Sequence, residues 1–310
     1  MTAARLTAIV VAASAALALS PSDAVAWSPG THIFLGETVL ANLTQVPAAV
    51  ADLLRAYPYD FLYGNIAADT SIAKKYAPVG RHCHAWHVGQ EVYDRADSEA
   101  LQAFGLGYLA HLAADSIAHN FFVPRQLVVT STTVALGHSY WESRFEMHLG
   151  EHYARGAMEV IQQDHQASDA HLDRILSPTI FSVRTSRRLF RGMVGLTETQ
   201  SWQRAFRIVM ERSRWDLPDA DVERQMAAAF ELVMSLLNGD GDARRYDPSG
   251  ESSLLLAKRM RLDVLRNRLR TDREALAGLA DERFGLPLLA GVYWARSQSQ
   301  RPWEHRASSD

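Results

Sequence analysis

Residues 107–124, GYLAHLAADSIAHNFFVP, place His111, Asp115 and His119 four residues apart. An α-helix turns once in about 3.6 residues, so the three stand in a column on one face of an otherwise apolar helix. Tyr108, Leu109, Leu112 and Ile117 cover the neighbouring faces, which predicts a buried helix. A buried acid between two imidazoles requires a compensating partner, and a cation meets that need. Downstream, His138 and Glu142 in HSYWE repeat the four-residue spacing at what reads as the start of a second helix. A lone histidine on an apolar face is ordinarily a hydrogen-bonded core residue, and an Asp/His pair on a helix a local ion pair. Three ligand types in register, followed by a second pair, favour a metal site. Imidazole with carboxylate and no thiolate cluster suits Zn²⁺, and the ligand types also admit Mn²⁺, Fe²⁺ or Ni²⁺.

Residues 1–26 read as a secretory signal peptide: a short basic start, the apolar run AIVVAASAALAL and the small-x-small signal Ala24-Val25-Ala26. The run is shorter than the about 20 residues that span a bilayer. Cleavage after Ala26 makes Trp27 the first residue of an exported chain. The composition, 47% hydrophobic and 22% charged, is that of a chain with a packed core. Cys83 is the only cysteine, so no internal disulfide forms and stability must come from the core, from bound metal, or from both. A net charge of −3 argues against nucleic-acid binding through a general basic surface. Helical periodicity runs through residues 33–43, 48–57, 88–96, 100–121 and 138–163 and on to 279, and alternating β-patterns are scarce. This predicts an all-α, multi-helix bundle over residues 27–296, with a polar, frayed tail at 297–310; typical lengths imply roughly ten helices.

Three further segments carry potential ligands. His32 follows Thr31, a potential cap for the first helix, and by itself reads as structural. In DFLYGNIAADTSIAKKY, Gly64 and the small residues at 67 and 68 are expected to break the helix before Asp69, which is then a turn residue or a metal ligand or base. RHCHAWHVG offers His82, His84 and His87, with no pattern that selects among them, and Cys83 reads as a small core residue.

Taken in order, this set resembles the bacterial zinc-dependent phospholipase C family, whose wider group includes zinc-dependent single-strand nucleases. The shared features are a tryptophan at the mature N-terminus, a histidine on the first helix, an aspartate in a loop, a further histidine, an H-x-x-x-D helix with a following histidine, and finally H-x-x-x-E. The resemblance covers residues 27–153 and implies an all-helical domain enclosing up to three zinc ions. It implies that Trp27 binds through its free amine and carbonyl with His32 beside it, and that Asp69, His84 and His111 serve a neighbouring zinc. Asp115 would bridge, and His119, His138 and Glu142 would hold the third ion. In one departure, His119 follows Asp115 after three residues, where family members leave a longer gap.

Clustered zinc suits phosphoester hydrolysis, because bound cations stabilise negative charge on phosphoryl oxygens and lower the pKa of water towards about 7. Asp69 is the candidate that orients or deprotonates that water, and no Gly-x-Ser-x-Gly nucleophile motif is present. The expectation is therefore an exported zinc phosphodiesterase acting on a phospholipid or other phosphodiester, monomeric, with transient membrane contact and without a stable nucleic-acid partner. The alternatives are a single-strand nuclease and a non-catalytic protein with structural zinc. In the second half, His148, His152, His165 and His171 read as surface or packing residues and Asn238–Asp242 as a turn. The basic segment 258–270 reads as a helix packing its leucines on the core, with contact to acidic lipid as the alternative.

Overall fold

The computed structural model describes residues 27–130, 134–197, 204, 207–208, 212–213, 215–266, 273–289, 291–299 and 301–304; the expected signal peptide lies outside them. The described residues are helical without a strand, in agreement with the all-α expectation. In chain order the helices are α1 (Pro29–Ala41), α2 (Ala48–Ala56), α3 (Pro58–Ala67), α4 (Trp86–Asp94), α5 (Glu99–Ile117), α6 (Val123–Thr130) and α7 (Val134–Leu149). There follow α8 (Glu151–Gln162), α9 (Gln166–Ile175), α10 (Val183–Thr197), α11 (Asp219–Leu237), α12 (Glu251–Arg266), α13 (Arg273–Phe284) and α14 (Val292–Arg296).

α5 is the hub. Ser98 caps its start by accepting a 3.4 Å hydrogen bond from the Leu101 amide. From Ala103 onwards nearly every residue is buried, because α3, α4 and α11 pack around it. Its Ala110, Ala113, Ala114 and Ile117 join an apolar core with Trp27, Phe34, Phe122, Trp141 and Phe145. Phe104, Tyr108 and Leu112 join a second core with Tyr63, Ile66, Val160 and Phe190. The helix passes directly through a π-helical turn, Ala118–Phe122, into α6, and so extends beyond the expected 100–121.

The closest helix pair is α3 on α5. A Cβ on Gly64 would lie 2.2 Å from the Phe104 carbonyl oxygen, and one on Gly107 would lie 2.1 Å from that of Phe61. Backbone therefore touches backbone. This corrects the expectation that Gly64 breaks the helix: α3 runs through it to Ala67. Glycine costs about 1 kcal/mol in a helix interior, an amount that close packing on both sides offsets. A 3₁₀ turn, Ala68–Thr70, continues α3 and carries Asp69 against α5.

Other expectations need revision. The segment 138–163 is two helices, α7 and α8, divided at Gly150, whose φ of +87° suits glycine alone. The tail is packed at least to Trp303, which is buried between Phe34 and Trp294 and donates from Nε1 to Glu223 at 2.7 Å. His165 and His171 are buried packing residues bonded to the carbonyls of Val160 and Val92. Asn238–Asp242 is a turn, as expected. α12 does not divide into an apolar buried side and a basic outer one: Arg261 is buried, whereas Leu255 and Leu262 are exposed.

Candidate metal centre

α5 presents His111 and Asp115 one turn apart, both fully buried. Around the Asp115 carboxylate stand three imidazoles: His32 Nε2 is 3.2 Å from Oδ1, and His84 Nε2 and His111 Nε2 are 2.9 and 3.2 Å from Oδ2. The nitrogens of His84 and His111 are 3.0 Å apart, and Asp69 Oδ1 lies 3.4 Å from the first and 3.9 Å from the second. One ligand atom from each of Asp69, His84, His111 and Asp115 thus falls within 4.8 Å of the others. Donors bonded at about 2.0–2.2 Å to a tetrahedral zinc stand about 3.3–3.6 Å apart, so the group is close to the right size. His111 Nδ1 lies 2.7 Å from the Asn65 carbonyl, which fixes the proton on that nitrogen and turns the Nε2 lone pair into the cluster.

The hydrogen-bond account also calls for a cation. Both oxygens of Asp115, Oδ2 of Asp69 and both ring nitrogens of His32 are buried without a well-formed hydrogen bond, although buried polar atoms are nearly always paired. Of these atoms, His32 Nε2 and both Asp115 oxygens face the cluster. Burial works against the charge on Asp69, but Lys74 above all, with His111 and His84, holds its carboxyl below the usual carboxylate range. Burial is likewise outweighed at Asp115, where His111, His32 and His84 keep the carboxyl well below that range. Burial and the neighbouring His111 push His32 down, towards the neutral form that binds metal.

A second corner adjoins the first. His119 lies in the π-helical turn and its Nδ1 is 2.6 Å from the Pro248 carbonyl. Its ring centroid is 5.5 Å from that of His138 and 6.1 Å from that of His84. His138 Nε2 meets Glu142 Oε1 at 2.7 Å on α7, where the pair is four residues apart as the sequence implies. The wider π turn takes His119 off the column of His111 and Asp115 and towards His138; such turns recur at functional sites. Burial lowers the His119 pKa to about 3. Burial, then the charges of Asp69 and Asp115, raises Glu142 well above its ordinary value, a cost that a cation beside it would relieve.

Trp27, the remaining expected ligand, contacts the helix of His111 and Asp115 through its side chain. Trp27 is wholly buried beside the cluster: its indole donates to the Ala114 carbonyl at 3.2 Å and packs on Phe122 and Phe145. Of the three nearby histidines, only His84 enters the cluster. His82 is half-buried and accepts from the His84 amide at 3.1 Å, while His87 is exposed and bonded to Gly80. Cys83 is buried in the second core, with Sγ 3.2 Å from His84 Nδ1.

Sequence reasoning missed Lys74. It is buried, with Nζ 2.6 Å from Asp69 Oδ1 and 3.4 Å from His84 Nε2. Ala73, just before it, has a φ of 59° and is the one non-glycine described residue in the left-handed region. Such conformations cost about 1–3 kcal/mol and persist where surrounding structure enforces them. Here the strained turn aims Lys74 inward while Lys75 stays exposed. Nothing in the pair Lys74-Lys75 distinguishes the two. Lys74 thus holds Oδ1 of Asp69, and Oδ2 is buried without a hydrogen bond.

No curated protein and no solved structure matches the chain. Residues 31–182 match the family model described as zinc dependent phospholipase C, and this segment contains every residue of both corners. By that match residues 31–182 belong to the zinc-dependent phospholipase C family.

Proposed function

We propose that this chain is an exported zinc-dependent phosphodiesterase that cleaves a phospholipid to diacylglycerol and a phosphorylated head group. The observation that supports this reading best is the buried convergence of His32, Asp69, His84, His111 and Asp115, with polar atoms of His32, Asp69 and Asp115 left without a hydrogen bond. Asp115 is the bridging ligand in this reading, since each of its oxygens faces at least one imidazole. His32 with the freed Trp27 amine, the group Asp69, His84 and His111, and the corner His119, His138 and Glu142 hold two to three zinc ions at the usual three or four ligands each. Zinc held there supplies positive charge to the phosphoryl oxygens and acidifies a water. Asp69, steadied by Lys74 on one oxygen, uses the other to orient that water or take its proton. The apolar residues on both sides exclude bulk water and strengthen these charges. Export follows from residues 1–26, and no described helix is long and apolar enough to cross a membrane.

The test combines metal analysis with two substrates. Purified protein beginning at Trp27 is expected to carry about two to three zinc ions and to hydrolyse a short-chain phosphatidylcholine but not single-stranded DNA. Asp69→Asn should lower turnover about 10²- to 10⁴-fold with the helical content retained, as expected for loss of a general base. Hydrolysis of DNA in place of lipid would make the chain a nuclease. Full zinc occupancy without hydrolysis of either would make the metal structural.

A further inference from the structure

The loop that delivers Lys74 and His84 to the metal centre has a tip unlike its ends. Lys74 and His84 are buried, whereas Tyr76 is 56% exposed and Val79 fully exposed. A second loop lies against it: Thr179 Oγ1 donates to the Ile72 carbonyl at 2.5 Å, and Arg81 donates to the Ile175 carbonyl. That second loop holds out Ile180, 59% exposed, and Phe181, 38% exposed. Two residues later α10 begins, packed against the Asp69 turn, with Arg184 and Arg188 on its exposed face. Four large apolar side chains on paired loop tips are more than the scattered exposure normal for a protein surface.

The charge around them has one sign. Residues 71–90 and 174–197 contain no aspartate or glutamate, in a chain whose net charge is −3. Arg81, Arg187 and Arg191 are paired with Glu91, Asp169 and Asp173. Arg184 and Arg188 form no ion pair among the described residues. Apolar tips beside outward-facing guanidinium groups suit a surface that is anionic outside and hydrocarbon within. A protein partner would not need both features on a loop pair of which one member is rooted at the metal centre through Lys74 and His84, while a lipid substrate would be brought to that centre by them.

We propose that the paired loops 72–81 and 175–182, with the start of α10, dock on an anionic phospholipid bilayer and hold the metal centre against it. Val79, Ile180 and Phe181 enter the interface, Tyr76 lies at head-group level, and Arg184 and Arg188 contact lipid phosphate. The proposal rests on the lipid-cleaving reading above for its purpose, although the docking itself does not require catalysis.

The experiment sediments the zinc-loaded protein with vesicles of phosphatidylglycerol and phosphatidylcholine in equal parts, and with phosphatidylcholine vesicles alone. Binding is expected to favour the anionic vesicles and to weaken with salt. Arg184→Gln with Arg188→Gln should reduce it about tenfold or more, given the usual contribution of a basic residue near an anionic surface. Val79→Asp with Ile180→Asp should abolish it, while hydrolysis of dispersed short-chain phosphatidylcholine stays at the parent rate. Parent-like sedimentation by both double variants, or no sedimentation by the parent, overturns the proposal. Failure to hydrolyse any phospholipid would overturn the functional reading alone, because sedimentation is scored without turnover.

Discussion

The two corners of the candidate metal centre are built from the same residue types by different means. The His32, His84, His111 and Asp115 corner is assembled from two early helices and the turn that carries His84, with α3 and α5 in backbone contact at Gly64 and Gly107. The His119, His138 and Glu142 corner depends on distant chain. Pro248 orients the His119 ring, and Gly250 packs so tightly that a Cβ there would lie 2.3 Å from that of His119. The first corner presents an ionised carboxylate to three imidazoles, while the second offers a glutamate that burial pushes towards neutrality. One corner is thus preorganised in charge and geometry, and the other gains most from the ion it would bind. Metal affinity should differ between them accordingly.

Asp115→Asn is the most severe way to break the comparison. It removes the charge shared by three imidazoles, and loss even of an outer-shell partner costs about 10- to 100-fold in metal affinity. A direct ligand should cost at least that, with zinc lost from the first corner and hydrolysis abolished. Elemental analysis after gel filtration checks this, and stoichiometric zinc at parent affinity would remove Asp115 from the ligand set.

Gly250→Ala should strike the second corner alone. Its φ of +57° costs a residue with a side chain roughly 1 kcal/mol, and the contact with His119 forces that ring away from His138. We expect the weakest-bound zinc to fall about 10- to 100-fold in affinity while the others remain. Chelator competition resolves the sites; equal weakening of all of them would show that the corners act as one unit.

The sequence displays these corners unequally, for a physical reason. His111 with Asp115, and His138 with Glu142, are visible because a helix converts four-residue spacing into a shared face. The redirection of His119 by a π turn, the inward course of Lys74 after Ala73, and the meeting of Gly64 with Gly107 arise from packing between segments and leave no local pattern. His84 could not be chosen over His82 and His87 because the segment is an irregular turn with no period to assign a face. The tail reads as frayed for a related cause: one buried tryptophan, Trp303, anchors a polar stretch, and composition averages over it.

A smaller perturbation of the first corner leaves every side chain in place. Before signal cleavage the Trp27 nitrogen is an amide, whose lone pair is delocalised into the peptide and is a poor donor. A free amine with a pKa of about 7.7 to 8.0 is readily taken by zinc in its neutral form. Protein that retains one methionine before Trp27 should therefore lose affinity for one zinc, with the buried indole still in its pocket. Mass spectrometry confirms the N-termini and chelator competition reads the affinities. Equal affinity would leave His32 and Asp115 to hold that ion without the terminus.

The smallest expected effect is a slope, and it concerns the second corner without metal. The His119 pKa is about 3 in the folded chain, because burial opposes its charged form, against an ordinary value of 6.5. Between these values the unfolded chain holds a proton on this residue that the folded chain does not. Its contribution to stability is therefore complete above pH 6.5 and is lost progressively as pH falls towards 3. The slope is about 1.4 kcal/mol per pH unit for one proton. In chelator-treated protein, urea unfolding should lose stability more steeply over this window than in His119→Gln, which keeps an amide donor for the Pro248 carbonyl but does not titrate. Acidic groups elsewhere contribute equally to both proteins and cancel in the difference. Parallel curves would mean that His119 is solvated in the metal-free protein, and hence that the second corner opens when its ion is removed while the first, held by Gly64 against Gly107, stays closed.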